Sequence, residues 1–389
     1  MGWKKPKLEW RNWAWHAGAM LLFYLLSNGM FSLFHDGYSL NQMDVTHFRG
    51  MAQERISNYV LTGENTDWSN SMFGGMPTYQ TGGGSGGFTW AIWLKESLTG
   101  LFASVEIATL FFAMFSAYLL ALALGLAPWW ALISGVGFGL SSLGILYLGA
   151  GHRSKVNAIA FMPGVVAGVI WSYRNDLWKG LAVIVLFTSF HLAANHLQMT
   201  YYLLFLLGAI VIALGVKAVL SKELKRFAQV TSWVALAGVL ASLPNAMVIL
   251  NTQSYSKHTT RGEAVVNYDE SGVLMGSDGK SYQANLELGA GTNSGEGLGV
   301  EYILEYSMSK MEWLSVISPN FKGGGERVPM NINGQRVPVP AYWGEQKFSG
   351  GAFYFGAIIM AFFFAFLLVS MATLSKPAFA QNTQAQHSV

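Results

Sequence analysis

Three short tracts hold most of the side chains able to do chemistry, and each lies beside a long apolar run. In SLNQMDVTHFRG, Asp44 begins a segment in which Val45, Phe48, Ala52, Ile56 and Tyr59 recur at helical spacing, while Asp44, His47, Met51, Glu54 and Asn58 fall on the other side. That pattern is an amphipathic helix lying on a membrane surface. Two readings of Asp44 stay open: an N-cap for the helix, or a general base or divalent-cation ligand at the headgroup level. In GHRSK, His152 and Lys155 are three apart and share a helical face at a helix start, where free backbone amides also point outward. Such a group suits an anionic phosphate; snorkelling by Arg153 and Lys155 is the plainer account. His191, Asn195 and Gln198 follow at i, i+4 and i+7, with Tyr201 and Tyr202 next, so one face of a span turns polar. Residues of this kind in a membrane line a cavity or bond helices together. His191 and His196 lack the spacing and the carboxylate of a zinc-hydrolase helix, so no zinc site is assigned to them.

A membrane bundle has to position these groups. Of 389 residues, 52% are apolar, 14% aromatic and only 12% charged, about half the charged share of a water-soluble domain. Cys is absent, which excludes disulfides, thiolate metal sites and Cys nucleophiles. The net charge of +3 comes from scattered basic residues, so no nucleic-acid surface is expected.

The expected fold is an all-α polytopic membrane protein with about eight transmembrane helices, since each crossing needs about 20 apolar residues. The apolar runs are 13–34, 101–124, 128–148, 156–173, 180–196, 199–220, 228–250 and 352–371. A cleaved signal peptide is the rival reading of the first run, but its length and the lack of a small-residue cleavage site favour an anchor. Lys4, Lys5, Lys7 and Arg11, then Arg174 with Lys179, then Lys217, Lys222, Lys225 and Arg226 mark cytoplasmic segments, with Lys376 at a cytoplasmic C-terminus. The loops 35–100, 151–155 and 251–350 then face outward. Glu106 is the one acidic residue expected within the hydrocarbon, near its outer end, reaching either the headgroups or His152 and Lys155.

Three regions result: a bundle over 1–250 that includes the outer loop 35–100, an extracytoplasmic loop over 251–350, and a last span with its tail over 351–389. In the first outer loop the run Gly82–Gly87 reads as a hinge. In the last outer loop a hairpin is expected around Ser277-Asp278-Gly279-Lys280, a Gly-rich stretch over 289–299 and a helix over 300–317. No internal repeat supports an inverted-repeat transporter.

The tracts QMDVTHFRGM, WSNSMFGGMPTYQ, GHRSK, NHLQMTYY, TRGE from Thr260, SPNFKGG from Ser318 and AYWGEQKFSGG from Ala341, in this order, give the chain a further property. Over about residues 15–370 it resembles the YfhO-type family of bacterial membrane proteins, of the GT-C class of polyprenyl-phosphate-dependent glycosyltransferases. The resemblance implies a bacterial inner-membrane bundle with an outward-facing active site, and Asp44 as the catalytic or metal-binding acid of the first outer loop. By the same analogy GHRSK and the outer ends of the fourth and fifth spans meet the lipid-linked phosphate, and with the residue patterns above the expected substrate-binding set is His47, His152, Arg153, Lys155, His191, Asn195, Gln198 and Tyr202. The implied partners are a polyprenyl-phosphate-linked sugar, membrane lipid and a cell-envelope glycan or glycolipid acceptor. No paired acidic motif follows Asp44, so a divalent cation there stays optional. Members of the family usually carry further spans and a large extracytoplasmic C-terminal portion, and the chain is expected to be a short or truncated member. A lipid or polysaccharide transporter and a non-catalytic envelope assembly protein are the alternatives; polar residues that stop near the outer span ends favour the enzyme.

Overall fold

The computed structural model describes residues 10–81, 89–174, 176–259, 267–268, 274–275, 281–282, 304, 307–323, 328–345 and 354–374. The chain forms two compact units, 1–140 with 144–259 and 141–143 with 260–389. The expected boundary at 250 therefore moves, because the helix reaching it continues through a 3₁₀ turn at Leu243–Asn245 into a further helix ending at Ser256. The last apolar helix belongs with the segment before it rather than forming a third region.

In the first unit, α1 (Trp10–Met30) precedes two short helices, α2 (Met43–Met51) and α3 (Gln53–Thr62). A two-stranded turn follows, β1 (Trp68–Ser69) with β2 (Met76–Pro77), and then α4 (Trp90–Thr99). The bundle proper is α5 (Val105–Ala123), α6 (Pro128–Gly139), α7 (Ser142–Ala150), α8 (Arg153–Tyr173), α9 (Leu177–Ala193), α10 (Leu197–Leu220), α11 (Leu224–Ser242) and α12 (Ala246–Ser256). Among the described residues five helical segments are long and apolar enough to cross a membrane: α5, α6 with α7, α8, α10, and α11 with α12. Leu177–Ala193 and Ile359–Met371 are shorter apolar helices.

Contacts at the two ends of the bundle fix the direction of each helix. At one end Arg153 of α8 meets Glu106 of α5, and His191 of α9 meets Thr200 of α10. At the other, Arg174 donates to the Ala123 carbonyl, and Tyr173 shares a 2.8 Å hydrogen bond with Thr231 of α11. Arg226 also reaches the Tyr173 carbonyl at 3.4 Å. Arg174 after α8 and Arg226 in the first turn of α11 thus lie at one end, about 30 Å along α8 from His152.

Small residues let α8 and α9 approach closely, and these helices form the most extensive contact in the unit. Gly164 faces the Phe187 ring, and a side chain on Gly180 would strike Ser172 and the Gly168 carbonyl 2.6 Å away. Without a hydrophobic force between helices in lipid, such close contact and interhelical hydrogen bonds hold the bundle. Phe112, Phe161, Phe187 and Phe190 fill the space between α5, α8 and α9, with Phe161 and Phe190 edge to face at 5.5 Å.

The amphipathic segment after α1 is not one helix. It breaks at Ala52 (φ −86°, ψ 0°), which is buried, and resumes as α3. Glu54 at the start of α3 then clamps the turn that follows. Its carboxylate accepts from Ser69 Oγ at 2.6 Å, Asn70 N at 2.8 Å and Ser71 N at 2.9 Å. The Ser69 bond first, then the Ser71 bond, hold its pKa below the ordinary glutamate value.

In the second unit β3 (Asn267–Tyr268), β4 (Leu274–Met275) and β5 (Ser281–Tyr282) pair antiparallel. The turn residues Ser277–Lys280, the Gly-rich 289–299, TRGE, the Gly82–Gly87 run, Lys4, Lys5, Lys7 and Lys376 lie outside the described residues. Most of 300–306 lies outside them too, although Leu304 is helical; Ser307–Lys310 are not, and the second half of the helix expected over 300–317 is instead a 3₁₀ turn, Glu312–Val316. Buried Glu312 accepts from Ser309 N at 2.8 Å and from the Tyr342 hydroxyl, a polar tie that helical spacing does not reveal. A hairpin of β6 (Val328–Ile332) and β7 (Gln335–Val339) turns at Asn333-Gly334, both with positive φ (55° and 84°). Asn-Gly is the sequence signal for such a turn. The unit ends in α13 (Ala357–Leu374).

Two outcomes check this description. Gly180→Val forces apart α8 and α9, and overpacking of this kind costs about 1–3 kcal/mol, so the thermal midpoint in detergent falls by several degrees; an unchanged midpoint contradicts the packing. Because the pKa of Glu54 is depressed on folding, its clamp is fully present above the unfolded glutamate range and is lost as pH falls through the depressed value. Amide exchange at Asn70 and Ser71 should accelerate over that acid window in the wild type, and in Glu54→Gln should be fast at neutral pH as well.

Candidate functional site

The helix α2 docks against the turn joining α7 to α8. Gly151 in that turn has φ +95°, a conformation side chains rarely adopt, and a Cβ there would press on Gln42 Cβ at 3.1 Å, Asp44 Cβ at 3.3 Å and Val45 Cγ2 at 3.3 Å. Gln42 is buried and donates to the Leu148 carbonyl at 2.5 Å, one of the end-of-helix acceptors of α7. These contacts set Asp44 beside His152, with Oδ2 3.3 Å from Nδ1 and both side chains about half exposed (50% and 46%).

Asp44 is not the N-cap of α2. That position belongs to Gln42, and Asp44 lies in the first turn, where the helix dipole favours its negative charge. His152 is the N-cap residue of α8, yet its ring makes no capping bond and stands edge-on to Tyr147 at 5.6 Å. Lys155, one turn along α8, places its ammonium 4.1 Å above the same Tyr147 ring. Tyr147 is therefore flanked by the His152 ring and the Lys155 ammonium, a role the sequence reading missed.

His196 was also missed. It precedes α10, and its Nε2 is buried without a hydrogen-bond partner among the described residues. Burial, and then the nearby positive charges of Lys155 and His152, lower its pKa below the ordinary histidine value. Beyond it, Lys95 of α4 reaches the Ala193 carbonyl at the end of α9 at 3.4 Å, and burial lowers its pKa, with Glu96 acting in the other direction. Both belong to the same end of the bundle as the Asp44–His152 pair.

Other expected site residues stand apart. Arg153 is committed to Glu106, 3% exposed, through a 2.5 Å ion pair between the starts of α8 and α5. Its charge is neutralised there, so it is a strut rather than a phosphate ligand. His191 is 1% exposed, and both ring nitrogens are used, Nδ1 at 2.9 Å from the Ala158 carbonyl and Nε2 at 2.9 Å from Thr200 Oγ1. It bonds helices together and lines no open face. The polar stripe drawn through His191, Asn195 and Gln198 does not exist, because the chain leaves helical geometry after Ala193 and Asn195 takes φ +51°. Gln198 donates to the Tyr202 hydroxyl at 2.8 Å, an exposed pair on α10. His47 is exposed on α2 and forms no hydrogen bond or ion pair among the described residues.

No group of three or more His, Asp or Glu residues able to hold a metal occurs among the described residues. A lone carboxylate facing an imidazole falls short of the protein oxygen cage that Ca²⁺ takes, and it would hold Mg²⁺ only together with waters and substrate phosphates. Compared with family models, curated proteins and solved structures, the chain matches none.

The Glu106–Arg153 pair yields a prediction. Arg153→Ala leaves a carboxylate buried without its counter-charge, which should cost about 2–3 kcal/mol, the lower part of the range for broken buried pairs because solvent still reaches the arginine side. Urea unfolding in detergent checks this, and the double variant Glu106→Gln/Arg153→Ala should recover much of the loss. A double variant no better than Arg153→Ala would contradict the strut.

Proposed function

We propose that this chain is a membrane glycosyltransferase of the bacterial inner membrane, moving a sugar from a polyprenyl-phosphate donor to a cell-envelope acceptor. In this reading α1, α5, α6 with α7, α8, α9, α10 and α11 with α12 cross the membrane, and α13 makes the eighth crossing. The end of the first unit bearing Arg174, Lys179 and Arg226 faces the cytoplasm, as the positive-inside rule requires. The opposite end, with Asp44 and His152, then faces outward. The resemblance to YfhO-type proteins points to the same chemistry.

One observation carries the proposal: a carboxylate–imidazole pair and a lysine that forms no ion pair among the described residues share one end of a helical bundle, Asp44 and His152 at 3.3 Å and Lys155 on the ring that His152 also touches. Transfer needs both kinds of group. As the acceptor hydroxyl attacks the anomeric carbon it must lose a proton, and the carbon–oxygen bond to phosphate breaks with its electron pair going to the phosphate. The pair takes the proton, while Lys155 offsets the charge gathering on the leaving phosphate. Arg153 contributes indirectly, by fixing the start of α8 through Glu106.

General acid–base groups contribute about 10²–10⁴-fold, so Asp44→Asn should lower transfer from a polyprenyl-phosphate sugar by at least about a hundredfold while the thermal midpoint holds. Lys155→Met should weaken donor use with folding retained. Full transfer by Asp44→Asn would remove the proposed site.

A further inference from the structure

We infer that the basic atom of this site is His152 Nε2, with Asp44 as a positioning residue that holds the imidazole in the tautomer leaving Nε2 free. The inference deepens the glycosyl-transfer reading and rests on it for the identity of the proton donor. It reverses the role that the first-outer-loop carboxylate has on resemblance alone.

The geometry distinguishes the two atoms. Asp44 Oδ2 faces His152 Nδ1 at 3.3 Å. A carboxylate accepts from an N–H, so this placement favours the tautomer with the hydrogen on Nδ1, which leaves the lone pair of a neutral ring on Nε2. Imidazole is intrinsically the better base near neutral pH.

The ring is held on several sides. The His152 backbone N–H donates to the Tyr147 carbonyl at 3.0 Å, and its carbonyl accepts from Val156 N at 3.0 Å, closing the first turn of α8. Its side chain makes no capping bond, and Tyr147 stands edge-on to it. Lys155, over the same Tyr147 ring, and His196 are the other ionisable groups near it among the described residues. In transfer the acceptor's O–H proton passes to Nε2 as its oxygen bonds to the anomeric carbon and the phosphate departs with the bonding pair. The imidazolium then returns the proton to water.

Diethyl pyrocarbonate, which acylates the free imidazole nitrogen, tests the pair without any assumption about substrate. The readout is the acylation rate of each histidine-containing peptide by mass spectrometry on the full-length protein in detergent. Asp44→Asn should slow acylation at His152 severalfold and leave His258 unchanged, and Asp44→Glu should restore most of the rate. Equal rates at His152 in wild type and Asp44→Asn overturn the assignment. In a transfer assay with a polyprenyl-phosphate sugar, His152→Ala should lose at least about a hundredfold and regain activity with added imidazole; full activity in His152→Ala also overturns it. Labelling as expected in a wild-type protein that transfers no sugar upholds the activated imidazole and removes the glycosyl-transfer reading instead.

Discussion

The docking of α2 on the turn between α7 and α8 is the contact on which the site depends. Its central element is Gly151, whose left-handed backbone and absent side chain let Gln42, Asp44 and Val45 approach to within 3.1–3.3 Å of where a Cβ would be. Gln42 then ties α2 to the end of α7 by donating to Leu148. Only with that contact in place does an exposed carboxylate meet an exposed imidazole. The pair itself adds little stability at half exposure, where ion pairs are screened. Its value is positional.

Behind this contact lies a second layer of restraint. The Glu106–Arg153 pair joins the starts of α5 and α8, and His191 joins the ends of α8, α9 and α10 through Ala158 and Thr200. The close α8–α9 packing over Gly164, Gly168 and Gly180 keeps the α8 axis fixed along its length. Groups that resemble ligands in sequence thus serve as struts, while the pair exposed at the mouth is left to meet a substrate. An ion pair spent on structure lowers the number of cations facing the mouth, and Lys155 carries correspondingly more of the phosphate-facing role in the proposed mechanism.

Hydropathy made the helices readable. The runs over 101–124, 128–148, 156–173 and 199–220 lie within a few residues of α5, α6 with α7, α8 and α10, because each needs one long uninterrupted apolar stretch. Asp44, His152 and Lys155 were also legible as chemistry-bearing groups at span ends. Their mutual arrangement was not, since a tertiary contact between α2 and a left-handed glycine leaves no periodic trace. The helical wheel through His191, Asn195 and Gln198 failed for a local reason: Asn195 adopts φ +51° and breaks the face in two. His196 and Glu106 acquire their roles from burial and from partners distant in sequence. Asn333-Gly334 was a turn signal present in the sequence and passed over.

Because the chain has no Cys, the central contact can be measured directly. In the doubly substituted Asp44→Cys/His152→Cys protein, mild oxidation in membranes should form an intramolecular disulfide rapidly, seen as a mobility shift reversed by reductant, with neither single variant shifting. Two thiols that stay reduced and freely alkylated under the same oxidant would contradict the docking of α2 on the α7–α8 turn, and with it the site.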